Sequence, residues 1–246
     1  MENNKTPGRR KRLDSKGKMI ISRLSLHEQV ADQVRQLIVS GALPAGEKIP
    51  VSDLAEQLGV SLTPLREALK VLAGEHLVEL ITNRGARVAP LTVEDTRLLF
   101  EVIAGIESLA AELAAQRITP GELQEIEEKH ARMREHHLAG ELDPYFELNR
   151  DIHDLVVQAA KNPTLVQVRS RLAVRAERAR YLSISSREHR DESMEDHEGL
   201  MRALRARDAE AARKVWHLHL QRSGEETCRV VQEWEDSAQE TRAAAQ

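Results

Sequence analysis

LGVSLTPLREAL, residues 58–69, is the stretch on which the reading of the chain turns. Gly59 can take the left-handed backbone conformation that ends one helix and reverses the chain. Ser61 stands where a side-chain oxygen caps the start of a second helix. Pro64 falls in that helix's first turn, where a missing N–H costs little. Leu65, Ala68, Leu69 and Leu72 then recur at helical spacing. Ahead of the glycine, Leu54, Ala55 and Leu58 give one apolar face to a short helix at about 52–58. Two short helices joined by a glycine-containing turn form a helix-turn-helix.

Working outward, Ser25 and Glu28 have the spacing of a capping box ahead of Val30, Val34, Leu37 and Ile38, which predicts a helix ending at Ser40-Gly41. GALPAGEKIP, 41–50, then breaks helical structure with two prolines and two glycines. LVELITNRGARVAP, 77–90, reads as a hairpin, with strands at 77–81 and 86–89 around Thr82-Asn83-Arg84-Gly85. This hairpin would be a wing on the helix-turn-helix. From Thr92 onward the pattern is helical, near 93–116, 120–139, 143–160, 164–183, 189–206 and 209–235. Thr92 with Asp95 and Thr119 with Glu122 have N-terminal box spacing, and Asp208 would cap the last helix. The fold class expected is mainly α: a winged helix-turn-helix over 23–90 joined to an all-α helical bundle over 91–236. Residues 1–22, with GRRKRLDSKGK, read as a disordered basic tail, and the Ala/Gln-rich residues 237–246 as a frayed end.

Bulk properties narrow the class. Of the 246 residues, 41% are hydrophobic but only 2% aromatic, so the core must be built from Leu, Val, Ile and Ala, which suits packed helices. The single cysteine, Cys228, excludes a disulfide framework and a Cys-rich zinc site. With no apolar run of about 18 residues and no signal-peptide stretch, a cytoplasmic protein without a membrane span is expected. The net charge of −4 is unevenly spread: residues 1–91 carry 14 basic and 10 acidic side chains, and 92–246 carry 22 and 30. A basic N-terminal module ahead of an acidic one fits a nucleic-acid head with a different C-terminal task.

A recognition helix lays its first residues against base edges in the major groove of double-stranded DNA. Here those are Ser61, Leu62, Thr63 and Pro64, followed by Arg66, which can contact guanine or phosphate bidentately. Lys70 lies one turn on, within reach of a phosphate. Arg84 and Arg87 flank Gly85 at the wing tip, placed for a minor groove or the backbone. VRQLIVSGALPAGEKI, LAEQLGVSLTPLREALKVLAGEHLV and RGARV together resemble the GntR family of bacterial regulators across the whole head. That family usually has Arg after the capping Ser, where this chain has Leu62, so an apolar contact to a thymine methyl replaces a charged one.

EVIAGIESLAAELAAQRIT, KNPTL and AEAARKVWHLHL resemble the FadR C-terminal (FCD) class within that family, over about 93–222. The resemblance implies a helical bundle, usually dimeric, that binds a small molecule. Asn149 and His153 are four apart and share one helix face, while His197 and His219 lie on other helices, and a bundle can bring such groups together. In the resembling class an Asp or Asn with three His forms a metal site at these motif positions, which implies a divalent transition metal (zinc, nickel, iron or manganese) on Asn149, His153, His197 and His219. The alternative is a set of polar groups satisfied inside a ligand pocket without metal. Arg171, Arg175 and Arg178 share a helix face, and Arg150 adjoins Asn149. An arginine in a cavity pairs with carboxylates, and the resemblance implies a carboxylic acid effector; solvated charges paired with the many Glu are the alternative. Relatives often carry Arg where this chain has Ile103. The function expected is a ligand-responsive repressor that binds a palindromic operator as a homodimer and releases it on binding effector. Two rivals remain at this point. One is a metal-dependent hydrolase built on the histidines, although His153 lacks an H-E-x-x-H partner; the other is an architectural DNA binder without effector.

Overall fold

The computed structural model describes residues 25–82 and 84–244, so the expected tail at 1–22 lies outside the described residues. Helix α1 (Leu26–Val39) starts at the capping box of Ser25 and Glu28 and buries Val30, Ala31, Val34 and Ile38. Helix α2 (Val51–Gln57) and helix α3 (Leu62–Gly74) are joined by the turn through Gly59, whose φ of +64° is strained for any residue with a Cβ. Leu65, Leu72, Leu77 and Ile49 are sealed from solvent in the core of this head. Each such side chain contributes about 1.5–3 kcal/mol of burial.

The wing is the antiparallel pair β1 (Val78–Ile81) and β2 (Gly85–Val88), in register Val78↔Val88 to Ile81↔Gly85. Leu77 and Ala89, expected within the strands, flank them. Lys48 adds an isolated bridge to Arg87, tying the wing to the segment between α1 and α2. Ser61 is the N-cap residue of α3 in extended conformation, but its side chain makes no capping bond, contrary to expectation. The hydroxyl is exposed, and water competes for the orphan N–H groups there.

The remaining chain is α4 (Val93–Arg117), α5 (Pro120–Ala139), α6 (Leu142–Ala159), α7 (Pro163–Ser183), α8 (Arg187–Ala206) and α9 (Ala209–Ala244). Thr92 caps α4, Thr119 and Glu122 form a full capping box on α5, and Asp208 accepts from the Ala211 N–H at 3.0 Å. Helix α9 runs well past the expected end at 235, and the stretch expected to fray stays helical to Ala244. Ala, Gln, Glu and Arg are strong helix formers, and no Gly or Pro stops the helix there. Helices α4 and α9 pack closely along their lengths. A Cβ on Gly224 would lie 2.7 Å from the Phe100 Cβ, so only glycine lets the two helices approach at that point. The head rests on α7: Val174 packs against the head's core, and Arg178 Nη2 donates to the Ala89 carbonyl at 2.8 Å.

Candidate functional site

At the outer end of α3, Ser61, Leu62, Thr63 and Arg66 are exposed and Pro64 is half-buried. The free Ser61 hydroxyl and the unsatisfied N–H groups of the first turn suit a phosphate. Arg66 and Lys70 line a groove of about 430 Å³ between α3 and the wing, together with Leu80 and Gly85. Among the described residues Arg66 and Arg84 have no ionic partner, whereas Lys70 pairs with Glu67 at 2.8 Å and Arg87 with Glu79 at 2.5 Å across the strands. Arg66 and Arg84 are therefore the freer cations, and Arg87, expected to act beside Arg84, is held along the sheet by its cross-strand neighbour.

The second constellation lies inside the bundle. Helices α6, α8 and α9 bring His153, His197 and His219 together, with one ring nitrogen from each within 4.8 Å of the others. All three are buried, and so is Asn149, one turn before His153 on α6. The indole of Trp216 forms a wall, 4.6 Å from the His219 ring and 4.5 Å from that of His153.

The tautomer of His153 follows from its neighbours. Its Nδ1 lies 2.5 Å from Glu107 Oε2 and 3.0 Å from Arg180 Nη1. A guanidinium has only N–H groups to offer, so the carboxylate takes the Nδ1–H bond and the lone pair is left on Nε2. That Nε2 faces His219 Nε2 at 3.4 Å. Burial and the Arg180 charge push the His153 pKa down to about 3, and burial lowers those of His197 and His219. Burial alone would raise the Glu107 carboxyl, but His153, Arg180 and Arg169 outweigh it and hold it well below the usual carboxylate range. The cluster is thus a set of neutral imidazoles beside an ionised carboxylate.

Neutral imidazole is the form that binds metal. Both nitrogens of His197 and Oδ1 of Asn149 are buried without a hydrogen-bond partner, and Nδ1 of His219 has the Asp196 carboxylate 3.6 Å away. Orphaned polar atoms at one place are costly unless something bonds them, and a carboxylate behind a ligating histidine is the usual outer support of a metal site. These residues fit a divalent transition metal.

The arginines divide differently from expectation. Arg171 is exposed, Arg150 lies half-buried beside Asp151, and Arg175 and Arg178 face the head instead of the bundle interior. The face of α7 turned inward carries Arg169 and Arg180. Arg169 donates to Glu107 at 3.0 Å and pairs with Asp154, while Arg180 is buried with Nε and Nη2 unpartnered. Sequence reasoning missed Glu107, Asp196, Arg169 and Arg180. The available signal was charge on an apolar stripe: Glu107 follows Ile103 and Ala104 and precedes Ala110, Ala111 and Ala114, all buried. His130 and His189, which matched no motif, are buried as well, and His130 stacks on His197 at 6.2 Å.

The family described as bacterial regulatory proteins, gntR family, matches residues 26–88, and the FCD domain matches residues 98–222. The chain is 29% identical over 201 residues to the probable D-xylose utilization operon transcriptional repressor of Paenarthrobacter nicotinovorans, covering 81% of this chain and 88% of that protein. It is 26% identical over 211 residues to the HTH-type transcriptional repressor RspR of Escherichia coli K12, covering 86% and 92%. The solved structure of E. coli McbR/YncC shares the fold with a TM-score of 0.73 at 24% identity, covering 86% of this chain and all of that one. No helix among the described residues is long and apolar enough to cross a membrane. These relatives are regulators, and the hydrolase reading of the histidines finds no support among them. The chain belongs to the GntR family of bacterial regulatory proteins, with an FCD domain behind its winged head, and it is a DNA-binding transcription regulator and not an enzyme.

Proposed function

We propose that this regulator is a cytoplasmic repressor that binds a palindromic operator as a homodimer and is released by a carboxylic acid bound in its helical domain. The observation that carries the reading is His197: it lies at the meeting point of α6, α8 and α9 with both ring nitrogens buried and unpartnered. Asn149, His153, His197 and His219 would hold zinc, nickel, iron or manganese, which would supply a Lewis-acidic position for an effector carboxylate. The unpartnered Nε and Nη2 of Arg180 suit a second contact to that anion. Repression is supported by the likeness to the P. nicotinovorans protein, a probable transcriptional repressor. Leu98, Val102 and Leu109 leave an exposed apolar stripe along α4, which supports pairing with a second copy. Two recognition helices would then lie about one helical turn apart on DNA.

Native mass spectrometry with elemental analysis of the purified chain tests oligomer and metal together. A dimer carrying one transition metal per chain is expected, and a metal-free protein that ignores added zinc and nickel would overturn the metal assignment. Anisotropy on DNA upstream of its own gene tests the rest: sequence-selective binding that weakens on adding small carboxylic acids is expected. Binding that is indifferent to sequence would favour the architectural reading.

A further inference from the structure

A second feature lies outside the histidine cluster, in the cleft between the head and the bundle. Its volume is about 250 Å³, and Arg175, Arg178, Thr96, His76 and the linker residues Ala89 to Leu91 are in its lining. Arg178 is only 6% exposed, and among the described residues it has no ion pair; its one bond is Nη2 to the Ala89 carbonyl. Burial and the neighbouring charge of Arg175 push its pKa down to about 10, so two like charges share the cleft. Arg175 likewise has no ionic partner among the described residues. The Thr96 hydroxyl, on a residue only 1% exposed, has no hydrogen-bond partner. The two carboxylates in the lining are engaged elsewhere: Glu79 accepts from Arg87, and Asp95 accepts from Thr92 at 2.9 Å. A buried cation without a counter-charge is costly, and the usual remedies are a paired anion or a shifted pKa.

We propose that this cleft is a binding site for a small oxyanion, carboxylate or phosphate, held by Arg175 and Arg178 with the Thr96 hydroxyl donating to it. The site is separate from the histidine cluster and does not depend on a metal there. Its occupant would bridge α7 to the linker that carries the head, because Arg178 already holds the Ala89 carbonyl. Asp95 and Glu79 limit it to a small anion, since a bulky one would meet their charge.

The test uses the full chain with a chelator present throughout, so that any anion held through a metal in the bundle does not count. Thermal unfolding and calorimetric titration are run with inorganic phosphate and with succinate, against sodium chloride at matched ionic strength. Either anion should raise the unfolding midpoint above the chloride control, and the arm that responds identifies the chemistry. Arg175→Gln should weaken that affinity about tenfold or more, since it removes a charge-assisted contact without disturbing the Arg178 bond to the linker. Thr96→Val, a near-isosteric change, should weaken it by a smaller factor. The proposal is overturned if neither anion exceeds chloride, or if the response persists undiminished in Arg175→Gln.

Discussion

Replacing Glu107 by Gln removes one charge from the centre of the bundle and keeps the side chain's shape. In the native chain this carboxylate serves three partners: His153 Nδ1 at 2.5 Å, Arg169 Nε at 3.0 Å and Arg180 Nη1 at 3.9 Å. Two separable losses follow. The first falls on the metal site, where a neutral amide supports the His153 ring less strongly than a carboxylate; losing an outer-layer partner of this kind costs roughly 10–100-fold in metal affinity. The second falls on the fold. Arg169 keeps Asp154, but Arg180 loses its nearest counter-charge, and stranding a buried cation costs about 3–5 kcal/mol. Adding Arg180→Met removes the stranded charge, so the double variant should regain most of the stability while metal affinity stays low. Urea unfolding of the metal-free protein reads the loss in the fold, and competition with a chromophoric chelator for zinc or nickel reads the loss at the metal site. Native-like metal binding by Glu107→Gln, or a double variant as unstable as the single one, would refute these roles for Glu107.

Leu62→Arg, on an exposed position in the first turn of α3, should tighten operator binding and steepen its salt dependence by about one counterion; anisotropy at several salt concentrations would show no change in either if Leu62 does not face DNA. Gly224→Ala should cost about 1–3 kcal/mol in chemical unfolding, because the new methyl would overlap Phe100 at the α4–α9 contact, and an unchanged midpoint would mean that the helices separate without penalty. His189 is buried, and that burial lowers its pKa to about 4. A histidine depressed in the fold is protonated first in the unfolded chain, so its contribution is intact above about pH 6.5 and is lost as the pH falls toward about 4. The loss is about 2 kcal/mol by about pH 5, and His189→Gln should flatten the stability profile over that window; an equally steep profile would refute the assignment.

The head was legible because each of its elements is specified locally. The turn at Gly59, the early Pro64 and the alternation of the hairpin are short-range signals, and they mark the observed α2, α3 and wing to within a residue or so. The missing Ser61 cap bond was not legible: position made Ser61 the N-cap, but whether its hydroxyl turns inward is a rotamer choice open to solvent. In the bundle, helix starts were marked by Thr119 and Asp208, whereas the end of α9 was not, because no breaker follows Trp234. The histidines were found through motif resemblance. Glu107 and Asp196 escaped because a lone carboxylate in a helix is ordinarily a solvated one, and only the packing of α4 and α8 makes these two buried.

Helix α7 shows where sequence periodicity stops deciding. Arg171, Arg175 and Arg178 do share a face, as their spacing requires, but so do Arg169, Ala173, Ala176 and Arg180. A helix with arginine on two faces has a weak apolar stripe, and a 3.6-residue period alone does not say which face turns inward. Small residues settle it: Ala173 and Ala176 let α7 approach the bundle closely, which drives Arg169 and Arg180 inside, where Glu107 is the counter-charge. The opposite face is then left to the head, with Val174 packed against the head's core and Arg178 on the Ala89 carbonyl. Arg178 and Arg180 are two residues apart on one hydrogen-bonded helix, one bonded to the linker and the other beside His153. A rigid helix cannot shift one of these contacts while leaving the other in place. α7 therefore physically connects the histidine cluster to the DNA head, and the observed packing of its two faces makes it so.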